Sequence, residues 1–520
     1  MRKNSIFSSA DGRSLLVPFL LVSSLFLLWG FCNGMIDVMD KHFQKELHLT
    51  LAQSAWVQFA HYLGYFLMAL PAGWLAGKLG YKGGIIAGLV MVAVGGFWFI
   101  PATQIATFPA FLLGVCVIAS GLTFLETVAN PYTTVLGPKQ YAATRINLAQ
   151  SCNGIGWIFG PIAGAQFFYG QDAAGNSTGS QTLWIPYAAV GGVVLILAVI
   201  FFFSNLPDIK SEDEFHLDDA DPGSTAAPVK NRAVALGLLW LNVAVLSLAI
   251  GMIVSAVVAI PSVGARVGLT ENQALLYASG ALLIAGSLVF LAKRNRITSH
   301  SIWSHPHFSG ATLTQFFYVA AQCGIFAYFI NYMTSQIPAV PTAWQAGWLG
   351  SWFEVHANGL LGLSDQGASN LASGGFVFFL LGRFIGAGLL KKFSAHRVLA
   401  VFSVLAGLCS LLVFLRLGWV SAAAVFLSYF FMSIMFPTIF SLGIHGLGSR
   451  AKKASSFIVM AIMGGAIMPK LMGHIADVHG MSAGFVVPMV CFVVVAGYAF
   501  FWARLSGTSG VVGLAPSASH

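Results

Sequence analysis

Charged residues are scarce in this sequence. Asp, Glu, Lys and Arg together make up only 8% of the 520 residues, whereas 57% are hydrophobic. A soluble protein usually carries a charged share of roughly a quarter. A water-soluble fold of this length cannot cover so much apolar surface. The composition therefore predicts a protein whose solvent is lipid.

Motifs of enzymes and sensors are also missing. The sequence has no nucleotide-binding loop, no metal-ligand cluster and no nucleophile–base pair, which argues against an enzyme and predicts no cofactor. No long polar region could form a soluble sensor domain, and the basic residues are too scattered for nucleic acid. The six cysteines lie singly in apolar stretches, as small core residues do; they are Cys32, Cys116, Cys152, Cys323, Cys409 and Cys491.

Long apolar runs are what the sequence does contain. A spanning helix needs about 20 apolar residues, and the first run, from Leu15 to Met35, is too long for a cleaved signal peptide of roughly 7–15 residues. The pattern predicts an all-α polytopic membrane protein with 14 spans. They lie at 15–37, 53–77, 83–104, 107–133, 147–170, 183–205, 233–261, 273–292, 309–334, 367–390, 398–416, 419–444, 455–475 and 483–505.

Loop charges predict the orientation. Basic residues concentrate in the cytoplasmic loops of membrane proteins, and most of the 26 lie inside when both termini are cytoplasmic, including Arg145 and the group from Arg383 to Arg397. The exceptions are Lys41, Lys45, Arg266, Arg416 and Lys470. The acid-rich stretch 206–232 then becomes a cytoplasmic linker.

The sequence repeats itself. The fourth span ends in Asn130-Pro131 with Gly137 six residues after the proline, and a later span ends in Phe436-Pro437 with Gly443 at the same spacing. A short basic loop and a glycine-rich span follow each copy. Two copies of a six-helix half are typical of a parallel-repeat transporter.

Longer motifs narrow the interpretation. The loop 73–82 (GWLAGKLGYK) has the glycine-and-basic pattern of the major facilitator superfamily, but departs from it at Gly77, where an aspartate is usual. More specific are residues 29–37 (WGFCNGMID), 125–138 (LETVANPYTTVLGP), 145–153 (RINLAQSCN), 436–444 (FPTIFSLGI) and 456–460 (SFIVM). Over roughly 15–205 and 307–505 the chain resembles the fucose–galactose–glucose:proton symporter family of that superfamily.

The resemblance implies a fold of two six-helix bundles, residues 1–205 and 307–505, with 12 core helices. The remaining segments are then an inserted two-helix hairpin at 233–306, with few polar groups and predicted to face lipid, and a cytoplasmic tail at 506–520. It implies proton-coupled uptake of a hexose-type sugar (fucose, galactose, glucose or an amino sugar) across a bacterial inner membrane, by a monomer that binds monosaccharide and proton. An uncoupled facilitator or exporter of another small polar solute stays the alternative.

Two carboxylates are candidates for proton coupling. Glu126 lies well inside the fourth span, where an unpaired charge costs several kcal/mol; it predicts a proton-binding group in a wet cavity, or else a permanently protonated packing residue. Asp37 lies near the outer end of the first span, where a solvated helix end would look the same. The resemblance implies proton coupling at this position.

Neutral polar residues inside spans are candidate sugar contacts, because sugars need amide hydrogen bonds and an aromatic face. They are Asn33, Asn130, Gln150, Asn153, Gln315, Tyr318, Gln322 and Asn331. Gln150 and Asn153 lie three apart, on one helical face. Interhelical hydrogen bonding, worth about 1 kcal/mol per bond, is the alternative role for each.

Two features near the outer side have open roles. Lys470 is predicted to reach the surface, with Asp477 as a possible partner. Trp344, Trp348 and Trp352 recur every four residues, which predicts one face of an interfacial helix; a stacking platform for sugar is the alternative.

Overall fold

A computed structural model describes residues 6–7, 13–46, 56–168, 182–207, 209, 231–259, 261–298, 300–346, 350–356 and 359–507. The helices before the acidic linker are α1 (Leu16–Glu46), α2 (Trp56–Ile105), α3 (Phe108–Val135), α4 (Ala142–Phe168) and α5 (Trp184–Phe203). The inserted segment forms α6 (Arg232–Val258), the short α7 (Pro261–Val267) and α8 (Glu271–Lys293).

The later part of the chain holds more helices because several of its spans are broken. They are α9 (Pro306–Ala327), α10 (Phe329–Ser335), α11 (Asp365–Lys392), α12 (Ala395–Phe414), α13 (Trp419–Met432), α14 (Met435–Gly443), α15 (Ala451–Met460), α16 (Gly464–His479), α17 (Met481–Gly484) and α18 (Val486–Ser506). Single 3₁₀ turns lie at Lys139–Tyr141, Arg294–Arg296, Ile302–Ser304, Thr342–Ala346, Gly350–Trp352, Gly448–Arg450 and Ala461–Met463.

Each predicted span coincides with a helix over most of its described residues, but length and hydropathy alone count fewer spans. Within the described residues, 11 helices are long and apolar enough to cross a membrane, or up to 12 if α9 and α10, bent by 44°, form one span. The 50-residue helix α2 counts once although it bends at Gly80, whose φ of 72° suits a residue without Cβ. The 14-span count stays a prediction.

Helix packing divides the chain into two groups that meet along a seam. In the first, α1 packs on α4, and α2 packs on α3 and α5. In the second, α9 packs on α16 and α18, and α12 packs on α13 and α18. The seam is formed by α4 against α11 and α14, and by α2 and α3 against α15.

The inserted hairpin packs on the second group through one of its helices. Helix α6 lies on α9, where the Nδ2 of Asn242 donates to the carbonyl oxygen of Ser309 at 2.9 Å. Helix α8 packs on α6, with Gly251 of α6 against Ser279. Only 6% of the apolar window of α8 is buried, compared with 28% for α6. Helix α8 therefore faces mostly outward, while the prediction of a lipid-facing hairpin is wrong for the face of α6 that packs on α9.

The connection between α10 and α11 does not contain the predicted interfacial helix in its described part. It has two 3₁₀ turns and an antiparallel hairpin of β1 (Phe353–Val355) and β2 (Leu361–Leu363), in which Glu354 pairs with Gly362. Trp344 and Trp352 lie in separate 3₁₀ turns, and Trp348 is outside the described residues. The prediction from their spacing is therefore wrong for the two described tryptophans.

Candidate substrate cavity

A cavity of about 860 Å³ lies between the two helix groups. It is lined by residues near the start of α2, such as Trp56, and near the end of α16, such as Asp477. The first residues of α1 and the last of α18 belong to the opposite end of the bundle. The cavity therefore lies toward the end of the molecule away from the termini. Its volume suits a small ligand.

Aromatic side chains form much of the cavity wall. Trp29, Tyr65 and Trp157 line it, and the Nε1 of Trp29 donates to the hydroxyl of Tyr65. The ring of Trp157 stacks on Phe376 at 5.0 Å and meets Trp29 edge-on at 6.3 Å. Such rings offer flat apolar faces to the C–H side of a sugar ring.

His61 is a cavity residue that sequence reasoning missed. It lies in α2, lines the cavity and is 3% exposed, with its ring 5.1 Å from the rings of Tyr62 and Tyr65. Its Nδ1 has no hydrogen-bond partner within the described part of the chain. A single histidine inside an apolar span was the available signal, since ionisable groups there are usually functional.

The predicted sugar contacts separate into two sets by depth. Asn33, Gln322 and Asn331 line the cavity, and the Nδ2 of Asn33 donates to the Trp29 carbonyl oxygen at 2.8 Å. The others do not line it: Asn130, Gln150, Asn153, Gln315 and Tyr318 are all buried. In this conformation the eight candidates therefore do not all line one cavity.

Three of the buried amides form a chain of hydrogen bonds. The Nδ2 of Asn153 donates to the Oε1 of Gln150 at 2.8 Å, and the Nε2 of Gln150 donates to the Oδ1 of Asn130 at 3.0 Å. The Nδ2 of Asn130 and the Oδ1 of Asn153 have no partner among the described residues. The chain thus links α3 to α4 and leaves a donor at one end and an acceptor at the other.

Glu126 lies one helical turn before Asn130 and is 1% exposed. Neither carboxylate oxygen has a hydrogen-bond partner in the described structure. The nearby amide of Asn130 and, through space, the opposite charge of Arg383 act on it, and it also interacts electrostatically with the cavity-lining Tyr65. A buried carboxylate without a bonded partner is costly when ionised. The side chain of Asp37, in α1, lies outside the described residues.

Arg383 corrects a sequence prediction. It was placed with the cytoplasmic loop charges, but α11 continues to Lys392, and Arg383 is a 2% exposed residue within that helix. Its Nη1 donates to the Gln150 carbonyl oxygen, and its Nε donates to that of Ser433 at 3.0 Å. The signal was present, because Arg383 falls inside the predicted span 367–390.

The break between α13 and α14 explains what the side chains of Tyr318 and Arg383 do in this conformation. A helix break in a membrane leaves carbonyl groups that must find other donors. The hydroxyl of Tyr318 donates to the Met432 carbonyl oxygen at 2.9 Å, and Arg383 donates to that of Ser433. In this conformation Tyr318 therefore stabilises the broken span. Gln315, on the same helix, has no partner for either amide atom among the described residues.

Contacts across the seam close the molecule at the end that holds the termini. The Nδ2 of Asn147 donates to the Oγ1 of Thr438 at 3.2 Å, and the Nζ of Lys452 lies 4.1 Å from the ring centre of Tyr81. Arg145 lies at the same end. It was predicted as a loop charge but is fully buried. Its guanidinium donates to the backbone carbonyl oxygens of Thr133 in the last turn of α3 and of Pro138 just after that helix.

The rim of the cavity carries an ion pair. The Nζ of Lys470 lies 3.9 Å from the Oε2 of Glu271, and the side chains are 66% and 54% exposed. The predicted surface position of Lys470 is confirmed, but the partner shown is Glu271, at the first residue of α8, rather than Asp477. An exposed pair contributes only about 0–1 kcal/mol, so its interest is its place at the rim.

Comparison with known proteins agrees with this architecture. Residues 7–323 match the Major Facilitator Superfamily. The chain is 33% identical over 511 residues to the L-fucose-proton symporter of Escherichia coli (strain K12), covering 95% of this chain and 94% of that protein. It is 27% identical over 476 residues to the glucose/galactose transporter of Brucella abortus biovar 1 (strain 9-941), covering 91% of each.

A solved structure shows the same fold. The crystal structure of FucP, a major facilitator transporter in the outward conformation, superposes with a TM-score of 0.64 at 31% identity and covers 94% of this chain and 99% of that one. The relatives are transporters and not enzymes. This protein is therefore a membrane transporter that belongs to the Major Facilitator Superfamily.

Proposed function

We propose that the protein takes up a hexose-type sugar together with a proton by alternating access. The observation that carries the proposal is a buried carboxylate, Glu126, beside a cavity of sugar size whose wall combines aromatic rings with amides. The relatives named as L-fucose-proton symporter and glucose/galactose transporter support the same substrate class.

The proposed coupling follows from the cost of a buried charge. Protonation neutralises Glu126 and removes that cost. If sugar binds the protonated protein more tightly, proton and sugar bind together and leave together. Asp37 is the second proposed coupling carboxylate. Among the predicted sugar contacts, Asn33, Gln322 and Asn331 are proposed to touch the sugar first, with His61 added to them. Asn130, Gln150, Asn153, Gln315 and Tyr318 stay predicted contacts.

The proposal includes a membrane topology. We propose 14 spans, because α2 bends at Gly80 between two predicted spans and α4 coincides with another. With both termini in the cytoplasm of a bacterial inner membrane, the cavity lies toward the outside. The conformation is then the one that accepts substrate.

The test compares Glu126→Gln with Glu354→Gln, which removes an exposed carboxylate in β1. Uptake of labelled fucose, galactose, glucose and N-acetylglucosamine is measured in vesicles with an imposed inward proton gradient, and sugar exchange is measured without one. We expect the parent and Glu354→Gln to accumulate a hexose. Glu126→Gln should retain exchange but lose accumulation, because its side chain takes up no proton.

Equal gradient-driven accumulation by Glu126→Gln and the parent contradicts the coupling role of Glu126. Absence of uptake for all four sugars, with the parent correctly inserted, contradicts the substrate class.

A further inference from the structure

The inserted hairpin contributes to the cavity wall. Met252, Ser255 and Ala256 of α6 line the cavity, together with Ala259 directly after the helix and Glu271 at the start of α8. The first three lie in the last turns of α6. Val257, which directly follows Ala256, is 47% exposed and does not line the cavity. Helix α6 therefore presents one face to the cavity and another to the surroundings.

Contacts fix this face of α6 to the second helix group. Asn242 donates to the Ser309 carbonyl oxygen in α9, and Asn231, before α6, donates to the Arg504 carbonyl oxygen in α18 at 3.4 Å. Glu271 pairs with Lys470 of α16. Within the hairpin, the Oγ of Ser255 donates to the Glu271 carbonyl oxygen at 2.9 Å. The hairpin is thus tied to α9, α16 and α18.

An apolar cluster continues this contact across the seam. Ala249 of α6 packs in a buried cluster with Phe316 of α9 and Ile467 of α16. Partly buried side chains of the first helix group, Phe59 and Tyr62 of α2, pack against the same cluster. Helix α6 therefore lies where the seam between the two groups meets the surrounding lipid.

We propose that the inserted hairpin is part of the substrate pathway, forming a side wall that separates the mouth of the cavity from lipid. A sugar hydroxyl exposed to lipid loses its hydrogen bonds at a cost of several kcal/mol, so a polar solute needs a closed wall along its route. The cavity-facing Ala256 and Ala259 are small, which leaves room at the mouth. Because the wall is tied to the second group, it should move with that group.

The test uses two adjacent residues of α6 as a matched pair. In a background without the six native cysteines, Ala256→Cys and Val257→Cys are exposed to a membrane-impermeant maleimide in intact cells and in inverted vesicles. When the reagent is applied on the side to which the cavity opens, we expect Ala256→Cys to react about tenfold faster than Val257→Cys. The reason is that thiols react as thiolates, which form in water and not in lipid. A transported hexose should slow the reaction at Ala256→Cys only.

A second pair of variants tests passage. Ala256→Trp should slow uptake of the hexose and slow uptake of a bulky aryl hexoside still more, whereas Val257→Trp, facing away from the cavity, should leave both rates unchanged. Size-exclusion profiles in detergent show that each variant is folded.

The hairpin inference rests on the proposed function only for its substrate, and the outcomes separate the two. Equally slow labelling of both cysteines, in a parent that accumulates hexose, overturns the hairpin wall and leaves the function standing. Unchanged uptake by Ala256→Trp likewise overturns it. Fast labelling of Ala256→Cys in a parent that transports no hexose supports the wall and overturns the proposed function.

Discussion

Arg383 holds together several parts of the molecule through one side chain. It donates to a carbonyl oxygen of α4 across the seam and to Ser433 at the break between α13 and α14, and its charge acts on Glu126. Arginine suits this place because its planar group donates in several directions, which the ammonium of lysine does less well. A change at this residue should therefore alter both stability and transport.

We predict that Arg383→Leu lowers the stability of the purified protein by about 1–3 kcal/mol, because buried carbonyl groups lose their donor. Thermal unfolding in detergent measures the effect. Combining Arg383→Leu with Glu126→Gln should recover part of the lost Tm, since no buried carboxylate then lacks its opposite charge. Arg397→Leu, at an exposed position, is the control. An unchanged Tm for Arg383→Leu would mean that its contacts are not stabilising.

Helices α2 and α15 lie close together at Gly73. A Cβ built on Gly73 collides with the Oγ of Ser456 in α15, whereas one on Gly77, a turn later, meets nothing within 4 Å. This approach is part of the closure at the end that holds the termini. The two glycines belong to the same loop motif in the sequence, and only their neighbours distinguish them.

We predict that Gly73→Leu separates α2 from α15 and opens the closed end. Thr438 lies in α14 where it contacts α4. In the Gly73→Leu background, Thr438→Cys should react with a thiol reagent about tenfold faster than in the parent, as expected for a population shift of about 1.4 kcal/mol. Gradient-driven uptake should fall. Gly77→Leu should change neither measurement; equal effects of the two substitutions would argue against a role of the close approach.

Spans could be predicted from the sequence because apolar length is a local property. The breaks and bends of the helices, and the depth at which each polar side chain lies, could not be predicted, because they depend on residues far apart in the chain. Gln315 and Gln322 lie seven residues apart on α9, yet only Gln322 lines the cavity, whereas Gln315 is fully buried. Arg383 finds its hydrogen-bond partners on α4 and at the break between α13 and α14, and His61 lines a cavity that several helices form.

At the scale of the whole molecule, the two ends of the seam differ. Toward the termini the halves touch through Asn147 and Thr438 and through Lys452 and Tyr81. At the other end the cavity lies between them, and they touch at its wall, where the hydroxyl of Tyr62 and the Sγ of Cys323 are 2.6 Å apart. Alternating access requires the first set of contacts to break while new ones form at the rim. The internal repeat indicated two halves, but not which end is closed.

Helix α8 is the helix through which we expect the bilayer to act on the transporter. Its apolar stretch, 273–292 in the sequence, is about 30 Å long at 1.5 Å per residue, which matches a hydrocarbon core about 30 Å thick. Almost all of its surface faces outward, and its first residue, Glu271, pairs with Lys470 at the rim. A thinner or thicker bilayer should therefore create a hydrophobic mismatch that changes the tilt of α8 and shifts the rim of the cavity.

In proteoliposomes made from lipids of increasing acyl-chain length, we predict that the uptake rate varies with membrane thickness. The variation should be weaker for Glu271→Gln, which loses the ion pair but keeps the helix. Identical thickness profiles for the two proteins would mean that no mechanical link runs through this pair. A weaker dependence in Glu271→Gln, as predicted, would instead mean that the inserted segment makes the lipid composition of the membrane a regulator of transport.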